Sequence, residues 1–523
     1  MASDVSVLVV GAGPTGLLLA AELSRRGVKC RIIDSNPAPL HWDRATVVHP
    51  RSLEVFDSLG IIEPLLASGV KQRMAKLHSA GSVLGAIDLS ICGSRYGYNL
   101  GVSEEVTESI LTEYLHQQGG KVIRSTTLVE LEDDDAGLVA TIQRGRNMER
   151  VSVQWVVGCD GYHSSTRRLS GIEMTGHEIA EPWAVFDVTL AGWPDSYEAI
   201  YAYLDEIPVI LTSLPQQRWR AYVRPSSPES DLVADAASII KRYHPMLDFK
   251  DVSNPTRFHC HSKVAKRYRS GLVLLAGDAA HVCSPAQGHG MNSGLQDAFN
   301  LVWKLALVCQ GHCSPALLDS YQAERRPVAE MIVDSGDAAE RAQGERDPAG
   351  RRARDEALRA VFSDPTSRHH ESVAEAELDI DYGGSPIVIG NPNEALAPGQ
   401  RLPDTIEISL ASGETRVLHE LTFRAGHTAL ILGGSSLGSD KLSQLDRSIR
   451  ARRNASIIEE TAALATRAEN GYPRARIAPA ASERLGIGEV TLLVVRPDGH
   501  VGLRADHDHL EALTAYQELL VSG

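Results

Sequence analysis

One glycine-punctuated stretch near the start constrains this chain more than any other. Val5 to Val10 (VSVLVV) has the length and β-favouring composition of a buried parallel strand. It runs into Gly11, Gly13, Pro14 and Gly16 of GAGPTG, then into the amphipathic LLLAAELSRRG, then into CRIID, which ends on Asp34. Strand, tight turn, helix, strand and acid in that order form the dinucleotide-binding fingerprint in its full context. The first glycine permits the turn, the second lets the backbone meet a pyrophosphate, and the third allows helix and strand to pack closely. The helix start offers unpaired N–H groups and the positive end of its dipole to the phosphates. Asp34 is placed to hydrogen-bond an adenosine ribose. Ser35 offers nothing to a 2′-phosphate, which disfavours NADP here and leaves FAD and NAD open.

The 523 residues exceed one core, so two or three domains are expected, and a hydrophobic content of 43% gives ample material to bury. A net charge of −15 without a basic stripe argues against nucleic acid. No apolar run approaches the roughly 20 residues that span a bilayer, and the first strand lacks the basic flank of a signal peptide. The expectation is a cytoplasmic protein with no membrane partner. Its seven cysteines have no paired spacing and read as reduced thiols, with neither disulfides nor a metal site.

Two further strand-to-turn segments stand far downstream. VQWVVGCDGYHSSTRRLSGI carries Asp160 and Gly161, and GLVLLAGDAAH carries Gly277 and Asp278. Such turns, widely separated in sequence, can meet one elongated ligand at the carboxyl ends of a parallel sheet.

With GAGPTG, RATVVHPRSLEVFDSLGI, CDGYHSSTR and GDAAHVCSPAQGHGMNSGLQDAFNLVWKLA in this order, the first 330 or so residues resemble the group A FAD-dependent aromatic hydroxylases, single-component flavoprotein monooxygenases. The resemblance implies an α/β protein in which a Rossmann-like FAD-binding domain (1–75, 100–180 and 265–345) is interleaved with an antiparallel-sheet substrate domain (76–99 and 181–264). A charged helical linker (346–378) would follow. Strand and helix pieces after Asp379, above all the turn at Val495 to Gly499, resemble the thioredoxin-like C-terminal domain (379–523) of the phenol hydroxylase branch. No cysteine follows Cys313, so packing or homodimer formation, rather than dithiol chemistry, is expected of it.

The same resemblance assigns residues. Gly11, Gly13, Pro14, Gly16, Asp34, Arg44, Asp160, Gly277 and Asp278 would bind FAD. Glu104 stands where relatives usually carry a glutamine that contacts the flavin. Gly288, Gly290, Met291 and Asn292 would present amides, at the start of a helix from about Ser293 to Gln310, to the negative edge of the reduced ring. Pro285 would fix the loop where oxygen reacts. Tyr203, Tyr222 and Arg224 are substrate-side candidates on alternating strands. His289 stands where Gln or Lys is usual and reads either as a group near flavin and substrate or as a solvent-facing loop residue. His49 and Arg51 in HPRS suggest an acid/base and an anion partner, although the resemblance implies that this stretch mainly shapes the FAD domain and that His49 is structural.

The reaction implied is hydroxylation of a phenolic or other electron-rich aromatic small molecule. NADPH or NADH would reduce FAD, and O₂ would react as a flavin C4a-hydroperoxide. No second GxGxxG follows, so the nicotinamide would use a transient site. Baeyer–Villiger or epoxidising chemistry on a polyketide, and a flavin oxidase or dehydrogenase, remain alternatives.

Overall fold

The computed structural model describes residues 5–39, 45–134, 137–468, 472–473 and 475–523. These residues form two compact units, the first from Met1–Ala21, Cys30–Ala298 and Val328–Leu378, the second from Glu22–Lys29, Phe299–Pro327 and Asp379–Gly523. No described helix is long and apolar enough to cross a membrane.

In chain order the elements begin with β1 (Val5–Val10), α1 (Pro14–Arg25) and β2 (Cys30–Ile33). The hairpin β3 (Met74–Ser79) and β4 (Ser82–Asp88), α2 (Glu104–Gln117) and the long strand β5 (Asn147–Gly158) follow. Next come β6 (Trp183–Ala191), β7 (Ala199–Tyr203), β8 (Val209–Leu214), β9 (Arg218–Val223), α3 (Leu232–Tyr243) and β10 (Asp248–Phe258). The strand β11 (Val273–Leu275) leads to α4 (His289–Cys309) and α5 (Asp319–Gln343), then to α6 (Pro348–Ser363) and α7 (Pro365–Glu375).

The dinucleotide-type sheet runs β11, β5, β1, β2 and Val122–Ile123, each neighbour parallel to the next. Leu8, Val10, Ile33, Val153 and Val156 share a buried cluster, which is why these strands read as near-continuous apolar runs. All five carboxyl ends therefore lie at one edge.

The second sheet runs β10-β6-β9-β8-β7-β3-β4 and is antiparallel except where β7 meets β3. One of its faces is sealed by α3: Leu232, Ala236, Ile239 and Ile240 pack against Tyr201, Tyr203, Val209, Leu211 and Trp219. The side chains alternating with these point to the opposite face.

Segment 346–378, expected to be a linker, is α6 and α7, packed within the first unit. Gly85 of β4 has no side chain because the Phe362 ring occupies that space. The charged composition had suggested a solvated helix, yet Leu358 and Phe362 keep an apolar stripe four residues apart.

The second unit contains β12 (Glu407–Leu410), β13 (Thr415–Val417), β14 (His427–Gly433), β15 (Ile458–Ala465), β16 (Ala475–Ile477), β17 (Val490–Val495) and β18 (Val501–Ala505). The order is β13-β12-β16-β15-β14-β17-β18, with β16, β15 and β14 parallel and β17 and β18 antiparallel.

Candidate active site

Gly11 sits at φ +101°, a left-handed backbone that disfavours any side chain, and a Cβ there would overlap the Cys159 carbonyl. Gly16 has no room either, because its Cβ would meet the Gly11 carbonyl oxygen. The first turn is thereby fastened to the second, and the Cys159 amide donates to the Val10 carbonyl at 2.7 Å. A Cβ on Gly277 would come 2.7 Å from the Thr15 hydroxyl, so the third turn closes on the first. The three turns expected to share a ligand do meet.

Gly13 is different. Among the described residues a Cβ there would meet only the Glu108 carboxylate, at 3.7 Å. Among the described residues Gly161 has no such neighbour within 4 Å, and Gly290 has only the Cys283 sulfur at 3.9 Å. Backbone is left bare where a flat or diphosphate-bearing ligand would press on it, so the residues fit FAD.

Asp34 is mostly buried, and its oxygens accept from the Ala12 and Asn36 amides at 2.7 Å each, fixing the turn from the strand end. Pro14 opens α1. Asp160 accepts from the Ser165 hydroxyl at 2.9 Å and the Thr166 amide at 3.0 Å, and also from Ser164. Asp297, which the sequence reading did not single out, accepts from the Gly277 amide at 3.0 Å and pairs with His281 at 2.7 Å, locking the third turn to α4. Arg44 lies outside the described residues.

The cradle forms one wall of a cavity of about 730 Å³. Glu104, Asp160, Asp278, Pro285, Gly288, Gly290 and Met291 line that side. Opposite lies the free face of the antiparallel sheet, with Ala75 and Leu77 of β3, Ile200 and Ala202 of β7, and Ile210 of β8. Leu358 and Phe362 of α6 and Glu371 and Glu375 of α7 close a third side.

Gly288, at φ +74°, caps a short turn over Pro285–Gln287, and its amide donates to the Pro285 carbonyl at 3.2 Å. It is therefore not available as the expected ring donor. The helix begins four residues earlier than expected, at His289, so Gly290 and Met291 lie in its first turn, where amides lack an intrahelical acceptor. The Asn292 side chain is fully buried, donates to the Val47 and Gly288 carbonyls at 2.9 Å and accepts from the His49 amide at 2.9 Å.

Of the substrate-side candidates, Tyr222 lines the cavity and its hydroxyl lies 3.0 Å from the Thr46 hydroxyl. Tyr203 does not. Strand alternation turns it to the α3 side, where it is fully buried, stacks on His78 and meets His244 at 3.3 Å; burial drives its phenol well above the usual range. Arg224 lies past the end of β9, over the Trp183 ring at 4.8 Å and paired with Glu340, which also accepts from the Trp183 indole at 2.8 Å. It serves a buried clamp outside the cavity, and desolvation lowers its pKa. His289 is 7% exposed and bonded to Glu377, so it is not solvent-facing, and it does not line the cavity.

Residues 4–336 match the family described as FAD binding domain. The chain is 32% identical to pentachlorophenol 4-monooxygenase of Sphingobium chlorophenolicum, over 64% of each protein. It is 29% identical to 6-methylpretetramide 4-monooxygenase of Streptomyces rimosus, over 99% of this chain and 94% of that one. The solved anhydrotetracycline hydroxylase OxyS of Streptomyces rimosus is similar with a TM-score of 0.77 and 28% identity, over 99% of both chains.

Proposed function

The chain belongs to the FAD binding domain family of flavin-dependent aromatic monooxygenases, and from that premise we propose that it hydroxylates a bulky phenolic or otherwise electron-rich aromatic substrate, using NADPH or NADH and O₂. The observation that carries the reading is one cavity with a bare-backbone cradle on one side and an apolar sheet face on the other. Bound FAD would accept hydride from the nicotinamide and activate O₂ for transfer to the ring.

The protein's part is to bind, orient and exclude water. The three turns hold the dinucleotide, and the leading turn of α4 favours negative charge on the reduced ring. The Ala75, Leu77, Ile200 and Ala202 face supports an aromatic ring system and keeps water from the reacting centre. Tyr222, at the edge of that face, offers a hydroxyl to orient a polar substituent.

In the second unit, the parallel β16, β15 and β14 flanked by antiparallel β17 and β18 support a thioredoxin-like reading. Without a cysteine beyond Cys313, its role is packing or homodimer formation, which sedimentation equilibrium checks.

The test is NAD(P)H consumption over a panel of phenols and polycyclic phenols under labelled dioxygen. Stimulated consumption with one labelled oxygen in the product is expected; consumption with no oxygenated product from any panel member would count against hydroxylation. Ala202→Trp should raise KM for a bulky substrate about tenfold, roughly 1.4 kcal/mol. Tyr203→Phe, on the far face of the same strand, should leave KM within about twofold.

A further inference from the structure

We propose that His289 and Glu377 form a buried imidazolium–carboxylate pair that positions the leading turn of α4 and balances the charge facing the isoalloxazine ring. The inference rests on the FAD reading above and concerns residues that the fingerprint does not include.

His289 is 7% and Glu377 3% exposed, and Nδ1 of the histidine lies 2.7 Å from Oε1 of the glutamate. The other carboxylate oxygen accepts from the Gln296 amide, two turns further along α4. Glu377 holds a left-handed backbone, φ +57°, which a non-glycine residue adopts at a cost when the surroundings require it. A carboxylate this buried is costly to hold charged without a cation beside it, and the imidazole in hydrogen-bond contact, 2.7 Å away, supplies one. Glu377 follows α7, whose Glu371 and Glu375 line the cavity, so the pair joins a cavity-lining helix to the flavin-facing turn.

His49 completes the arrangement. Its ring stacks on His289 with centroids 5.0 Å apart and planes 25° apart. The Asn99 amide donates to Glu375 at 3.0 Å, which turns its oxygen to Nδ1 of His49, 3.1 Å away. Nδ1 of His49 therefore donates to that oxygen, with Glu375 3.9 Å from the same nitrogen. Its Nε2 is fully buried, has no partner among the described residues, and lies 3.4 Å from where a Cβ on Gly288 would stand. The three residues bring donor atoms within 4.8 Å of one another. Nδ1 of His289 is already taken up by Glu377 at 2.7 Å, and that contact is read as a charge pair. Other charges facing this region are Glu104, Asp278 and Glu371 on the cavity wall.

The experiment uses FAD holoenzyme of wild type, His289→Gln, Glu377→Gln and the double variant. The readouts are the two-electron midpoint potential by spectroelectrochemistry and FAD affinity. His289→Gln keeps a hydrogen bond but removes the cation, so reduced flavin should bind about tenfold more weakly relative to oxidised flavin. That ratio corresponds to a fall of about 30 mV. Glu377→Gln should move the potential upward, and the double variant should return near wild type. Unmoved potentials in both single variants, or both moving the same way, would overturn the pair while wild type still binds FAD. A wild type that binds no FAD would overturn the parent reading as well.

Discussion

Gly13→Ala is expected to empty the protein of FAD and leave its fold intact. The argument is one of space. Among the described residues a Cβ at this position meets only the Glu108 carboxylate, at 3.7 Å, an ordinary contact. The protein loses nothing, whereas a pyrophosphate seated on the bare backbone of the turn would meet the added methyl directly. FAD affinity should fall on the order of 100-fold, about 2.7 kcal/mol, with the melting temperature of the apoprotein unchanged within about 2 °C. Gly16→Ala is the contrast. Its Cβ would meet the Gly11 carbonyl, so that variant should lose stability and FAD together. Flavin absorbance per chain after desalting, read beside calorimetry, separates the two. A Gly13→Ala protein that stays as yellow as wild type would remove the pyrophosphate from that turn.

Glu324→Ala should destabilise the second unit more than any surface change. Glu324, Arg496 and Lys304 are fully buried. Arg496 grips the carboxylate with two bonds, at 2.7 and 2.8 Å, and Lys304 adds a third at 2.7 Å. Asn300 and Ser385 donate to it at 2.6 Å each. Burial alone would raise this carboxyl, but Arg496 and Lys304 outweigh it and hold it at about 2. Burial also brings Lys304 down to about 8, so both cations are charged at neutral pH. Removing the glutamate leaves two buried cations facing one carboxylate, Asp498, which stays bonded to Arg496 at 3.0 Å, a loss of about 3–5 kcal/mol, visible as a lower denaturant midpoint. The pH dependence has a definite sign. Between 4.5, the ordinary value, and about 2 the unfolded chain binds the extra proton, so stability present above that window is lost as pH falls through it. The variant should lack that acid limb; an unchanged midpoint and acid profile would show that the network contributes nothing.

The dinucleotide cradle was legible in the sequence because its requirements are local. Gly11 needs its left-handed backbone and Gly16 its close contact whatever the rest of the chain does. Convergence of the Asp160 and Gly277 turns followed from their place at parallel strand ends. Tyr203 and Arg224 were not legible in the same way. Alternation says that neighbours point to opposite faces, but not which face α3 will seal, and Arg224 lies past the strand end, where alternation gives no guidance. The burial of His289 depends on Glu377, 88 residues away, and no local pattern reports such a partner. In α6 and α7 the many arginines and glutamates concealed the Leu358 and Phe362 stripe. Four-residue spacing was the available signal.

The central claim is that three separated turns make one seat for FAD. Titrating flavin-free protein with FAD, while following isoalloxazine absorbance and protein-quenched flavin fluorescence, tests it most directly. Saturation at a single FAD per chain, with both signals changing together, is the expected result. Spectra that remain those of free FAD throughout the titration would contradict it.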